Sequence, residues 1–147
     1  MNSDQRFKRI LHAESAGPVR QAAGRWLTWE VNTSCPHVPI GLVRVVRTET
    51  PALEESPEVF WSRCLGNDNM LDLQSARIRP LEVNILNEIL LQVLEDLARV
   101  HATESFAFPE ALEERLEVDN ACSSCSGCVL LLRSPKELMY VHWHRES

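Results

Sequence analysis

Residues 128–144 read CVLLLRSPKELMYVHWH, and this stretch decides the fold. Residues 128–133 are almost wholly apolar, which is typical of a strand buried on both faces. Ser134 and Pro135 interrupt the run as a turn does. Residues 138–144 then alternate, with one face formed by Met139, Val141 and Trp143 and the other by Tyr140, His142 and His144. The pattern predicts two buried strands joined by a tight turn.

The segment upstream, residues 80–105, has the strongest helical period in the chain. Its apolar side chains cover about half of a helical wheel at ~100° per residue. They are Val83, Ile85, Leu86, Ile89, Leu90, Val93, Leu94, Leu97 and Val100. A stripe this wide packs against two neighbours at once, so we expect a central core helix that begins at Pro80. A short acidic helix is expected from Pro109, followed by a short strand at residues 116–118.

Two further strands are predicted in the first half of the chain. Residues 26–32 alternate in polarity, and residues 41–48 are rich in β-branched side chains. The fold class is therefore α+β: a mixed or antiparallel sheet of four to five strands packed against one long central helix (about 80–105), with short additional helices. The length of 147 residues predicts a single domain, 1–147. Within it, residues 1–25 either join the core or form a loosely attached helical arm.

Short helices are predicted near the N-terminus and in the middle of the chain. Residues 4–13 place Phe7, Ile10 and Leu11 on one helical face. The Ser56-Pro57 pair is typical of an N-cap followed by proline at the first helical position, and it predicts a helix that ends at Gly66. Residues 66–79 lack a sustained period and predict a loop.

Composition and charge exclude several classes of protein. Apolar residues make up 44% of the chain and charged residues 24%, as in ordinary globular domains. The net charge of −6 disfavours non-specific nucleic-acid binding, although residues 1–50 alone carry a net charge of +3. The N-terminus lacks the apolar core of a secretory signal, and no apolar run is long enough to span a membrane. We expect a cytoplasmic or nuclear protein without membrane contact.

The most unusual local motif is Cys122-Ser-Ser-Cys125-Ser-Gly-Cys128. An odd count of five cysteines, three of them within this motif, indicates a reducing compartment. The spacing lets two thiolates face one zinc ion. A complete site would use Cys122, Cys125, His142 and His144, because the two histidines share a strand face. The alternatives are a redox-active thiol pair, or a serine-rich loop without any cofactor.

Aromatic and acidic residues suggest an interaction surface. Trp26 and Trp29 fall on opposite faces of a predicted strand, and Phe60 and Trp61 are neighbours on a predicted helix. Both rings of a pair are buried only if the strand or helix that carries them is covered from two sides. We therefore expect some of these rings to be exposed for a partner. An acidic ridge suited to a basic partner is formed by Glu110, Glu113 and Glu114.

The chain contains no nucleotide-binding, hydrolase or EF-hand motif. The sequence therefore favours a non-enzymatic intracellular subunit or regulatory adaptor that acts through protein–protein contacts, including self-association. The first alternative is a zinc-binding module or metalloenzyme built on the Cys/His cluster. The second is an accessory subunit of an RNA- or DNA-processing complex, suggested by the basic N-terminal half. On the leading hypothesis, Trp29→Ala or Trp61→Ala weakens partner binding without unfolding the chain.

Overall fold

The structure is a computed structural model of the 147-residue chain. It describes residues 3–12, 25–31, 41–49, 56–68, 71–99, 111–119 and 126–145. These ranges contain three helices and six strands of an α+β fold. In chain order they are α1 (Ser3–Leu11), β1 (Arg25–Val31), β2 (Gly41–Glu49), α2 (Pro57–Asn67), β3 (Arg77–Pro80), α3 (Val83–Arg99), β4 (Glu114–Asp119), β5 (Ser126–Arg133) and β6 (Glu137–Arg145).

All six strands join one antiparallel sheet in the order β1-β2-β6-β5-β4-β3. Strands β5 and β6 form the hairpin predicted from residues 128–144. Ser134 builds its turn, because the Ser134 N–H donates to the Glu137 carbonyl at 2.9 Å and the Ser134 hydroxyl oxygen accepts from the Glu137 N–H at 3.0 Å. Strand β6 then pairs with β2, which brings the end of the chain beside its first half.

Helices cover both faces of the sheet, and this explains why β5 and β6 are apolar on both faces. On one face, α1 and α2 pack against a cluster that includes Ile10, Phe60, Trp61, Leu131 and Tyr140. On the other face, α3 packs against a cluster that includes Val45, Leu86, Val93, Leu130 and Val141. Ile10 of α1 is fully buried, so α1 is part of the core.

The structure corrects three predictions. The sheet has six strands because Arg77–Pro80 forms a four-residue edge strand, too short to show a period, inside the segment predicted as a loop. Pro80 therefore ends β3, and the long helix predicted over 80–105 is not shown: α3 has 17 residues and begins at Val83. The acidic helix predicted from Pro109 is absent from residues 111–113, and Glu114 already pairs with β5.

Candidate functional site

A buried polar cluster lies where the end of α2 meets β2 and β6. Asp68 follows α2 directly, and its N–H donates to the Leu65 carbonyl at 3.2 Å. The carboxylate Oδ2 accepts from the Tyr140 hydroxyl at 2.6 Å and lies 2.7 Å from His142 Nδ1. The other oxygen accepts from Arg44 Nη1 at 2.8 Å. We call these four residues the Asp68 cluster.

Electrostatics keeps Asp68 as an anion although its side chain is fully buried. Burial alone would raise the pKa of this carboxyl, but the His142 contact, the Tyr140 hydrogen bond and the charge of Arg44 hold the pKa below its usual value. Burial and the Asp68 charge raise the pKa of the Tyr140 phenol well above its ordinary value. Tyr140 therefore stays a donor and Asp68 an acceptor at neutral pH.

The chemistry open to this cluster is set by the burial of His142. Its side chain has no exposed surface, so a substrate in solution does not reach the ring. A carboxylate on one ring nitrogen fixes the tautomer and orientation of an imidazole. The cluster therefore connects α2, β2 and β6 through the carboxylate of Asp68, which contacts both Arg44 and His142.

The structure places only part of the predicted zinc site. Cys122 and Cys125 lie outside the described residues. His142 belongs to the Asp68 cluster, and His144 lies two positions further along β6, in register with Leu42 and Gly127. No group of three or more ligating side chains occurs among the residues that the structure describes. The zinc site stays a prediction.

The structure places Phe60 and Trp61 in the core, so the expectation that one of them is exposed is wrong. Phe60 is 1% exposed and Trp61 0%. Helix α2 contacts α1 as well as β6, and adjacent rings about 100° apart on a helix can each face one of these walls. The Trp61 indole donates to the Met139 carbonyl at 3.3 Å, and the Arg6 guanidinium lies 5.6 Å from the ring centroid.

Trp26 and Trp29 lie in β1, the edge strand, in register with Val46 and Val43 respectively. The surroundings of the two side chains are outside the described part of the structure. Their role in partner binding stays a prediction.

The acidic ridge is only partly available to a partner. Glu110 lies outside the described residues, and Glu113 is exposed. Glu114, in contrast, is half-buried and accepts from Arg6 Nη2 at 2.6 Å. This hydrogen bond, opposed by burial, raises the pKa of the Arg6 guanidinium. Glu114 therefore joins α1 to the sheet, and Glu113 is the member of the ridge that the structure shows facing solvent.

Helix α3 exposes several apolar side chains, and the sequence pattern predicts burial for Val83 and Leu94 but not for Leu91. Val83 is 48% exposed, Leu91 62% and Leu94 37%. At about 100° per residue these three fall within a sector of about 80° beside the buried face of the helix. We call them the α3 stripe. The predicted burial of Val83, Ile85 and Leu94 is thus wrong, because α3 packs on the sheet with one face only.

Comparison of the chain with protein-family models, with curated proteins and with solved structures finds no match. Within the described ranges, no helix combines the length and the apolar character needed to cross a membrane.

Proposed function

We propose that the protein is a non-enzymatic protein–protein interaction subunit, and that its α3 stripe binds an amphipathic helix of a partner protein. The observation that carries this proposal is the exposure of Val83, Leu91 and Leu94 along one flank of the buried face of α3. Large exposed apolar side chains that share one surface mark interaction sites. Helix recognition commonly uses anchors at such helical spacings.

The charges beside the stripe define the partner more closely. Glu88 and Glu95 are exposed on α3, and their helical positions follow that of Leu91 around the helix. A partner helix with Lys or Arg beside its apolar positions complements this arrangement. A second copy of α3 would bring carboxylates against carboxylates, which disfavours self-association through this face. The proposed occupant is therefore a basic amphipathic helix of a different protein.

The stripe is tested with a synthetic helical peptide that carries leucines on one face and lysines beside them. We expect saturable binding by calorimetry, and we expect Leu91→Gln to weaken it about tenfold, since truncated anchors dominate interface energies. Because Leu91 is mostly exposed, the same substitution should change the free energy of unfolding by less than about 0.5 kcal/mol.

Two controls make this test specific. Ile85→Gln removes an apolar side chain that is 44% exposed but lies on the other flank of α3, and it should leave binding unchanged. A twin peptide with glutamates in place of lysines should bind much more weakly. The proposal fails if Ile85→Gln and Leu91→Gln weaken binding equally, or if the two peptides bind alike.

A zinc-binding module is the second candidate function, and the Asp68–His142 contact favours it. Metal-binding histidines usually give their other ring nitrogen to a carboxylate or carbonyl. The proposed ligands are Cys122, Cys125, His142 and His144. Native mass spectrometry of protein purified without chelators should then show the chain plus one zinc, and Cys125→Ser should lose the metal and stability together. A folded, metal-free chain would remove this candidate.

A further inference from the structure

A cleft between α1 and α2 is lined mainly by basic and hydroxyl-bearing side chains. Its volume is about 430 Å³, which lies within the range of small-molecule sites, roughly 300–1,000 Å³. Arg6 and Arg9 line it from α1, and Val59, Ser62 and Arg63 line it from α2. Spacings of three and four residues place each set on one face of its helix.

The cleft lining is rich in arginine, in a chain whose net charge is −6. Its lining contains three arginines and one carboxylate, that of Glu58. Glu58 accepts from Arg6 Nε at 2.6 Å, and Arg6 also bonds to Glu114, which does not line the cleft. Arg9 and Arg63 bring two further positive charges to the same space from opposite walls. An anionic ligand is therefore the complement of this cleft.

One wall of the cleft is held in place before any ligand arrives. Arg6 bonds to Glu58 and to Glu114, and its guanidinium lies over the Trp61 ring. These contacts fix Arg6 between α1, α2 and β4. A site whose walls are already ordered loses less entropy when a ligand binds.

We infer that this cleft binds the phosphate group of a small organic molecule. Guanidinium forks match phosphate oxygens in geometry as well as charge. Ser56, the N-cap of α2, also lines the cleft, so the positive end of this helix faces the same space. Val59 is 41% exposed at the cleft and offers an apolar contact to the organic part of the ligand.

The test is a titration of the full chain with phenyl phosphate, followed by two-dimensional amide NMR at constant ionic strength. We expect saturable shifts at Arg9, Val59 and Ser62. Benzoate, which has the same ring and a carboxylate, should bind at least about fivefold more weakly because it offers fewer acceptor oxygens to the arginines. Inorganic phosphate should also bind more weakly, because only the ester can contact Val59.

Variants separate a built site from general charge attraction. The double change Arg9→Gln and Arg63→Gln should weaken phenyl phosphate binding by about tenfold or more. Arg77→Gln removes an exposed arginine of β3 that does not line the cleft, and it should leave the affinity unchanged. If the double variant does not fold, the exposed Arg9→Gln alone should still weaken binding. The inference is overturned if benzoate or inorganic phosphate binds as tightly as phenyl phosphate. It is also overturned if Arg9→Gln leaves the affinity for phenyl phosphate unchanged.

Discussion

Asp68→Ala is expected to destabilise the protein by about 3–5 kcal/mol, because it removes the acceptor of a buried, charge-assisted cluster. The Tyr140 hydroxyl would lose its 2.6 Å partner and His142 its 2.7 Å partner, both in the interior. Arg44 would lose the carboxylate that its guanidinium contacts at 2.8 Å. Urea unfolding at pH 7 measures this loss directly. A drop of this size is a large fraction of the stability of a typical domain.

The pH dependence of the free energy of unfolding separates the contribution of the Asp68 charge from the contribution of the side chain's shape. The folded-state pKa of Asp68 is lowered, so its ionisation stabilises the fold fully above the unfolded-state pKa of about 4. This contribution is lost as the pH falls through the lower folded-state pKa. Asp68→Asn, which keeps the shape, should therefore be less stable than wild type at neutral pH and should lose less stability on acidification.

Asp119→Asn is the matched control for these experiments. Asp119 is an exposed carboxylate at the end of β4, and its loss should change the free energy of unfolding by less than about 0.5 kcal/mol. If Asp68→Ala and Asp119→Asn changed the free energy of unfolding by the same small amount, the Asp68 cluster would not hold α2, β2 and β6 together. If wild type and Asp68→Asn lose the same free energy of unfolding on acidification, this result would contradict the charged state of Asp68.

The parts of the fold that the sequence predicts well are those encoded by local pattern. The β5–β6 hairpin follows from two apolar runs separated by Ser134 and Pro135, and both flanking strands lie within a few residues of each other in the chain. Helix α2 follows in the same way from its N-cap Ser56 and from Pro57. Each of these features needs only neighbouring residues, so no knowledge of the tertiary structure is required.

The parts that sequence reasoning missed depend on contacts between distant residues. Asp68 and His142 are separated by 74 positions, and nothing near Asp68 marks it as the partner of a strand histidine. Strand β3 buries only Ile78, and its pairing with β4 defines it more than its own four residues do. The sequence showed a wide apolar band on α3 but not which edge of that band the sheet would leave uncovered.

Trp61→Ala is expected to destabilise the protein by about 3–5 kcal/mol, because the ring is fully buried and its removal leaves a large cavity. The substitution also removes the indole N–H that donates to the Met139 carbonyl and the ring over which Arg6 lies. We therefore expect a lower midpoint of urea unfolding and a weaker contact between α1 and α2. Trp61→Phe, which keeps an aromatic ring, should have a smaller effect.

Val59→Ala on the same helix is the control for Trp61→Ala. Val59 is 41% exposed, so its truncation should change the free energy of unfolding by no more than about 0.5 kcal/mol. These two variants distinguish the two roles that the sequence allows for Trp61, which are a partner-binding ring on the surface and a ring in the core. A partner-binding ring on the surface would leave the urea midpoint unchanged when truncated, whereas a core ring cannot. An unchanged urea midpoint for Trp61→Ala would therefore contradict the burial of Trp61 and place the ring on the interaction surface. It would also contradict the packing of α2 between α1 and β6.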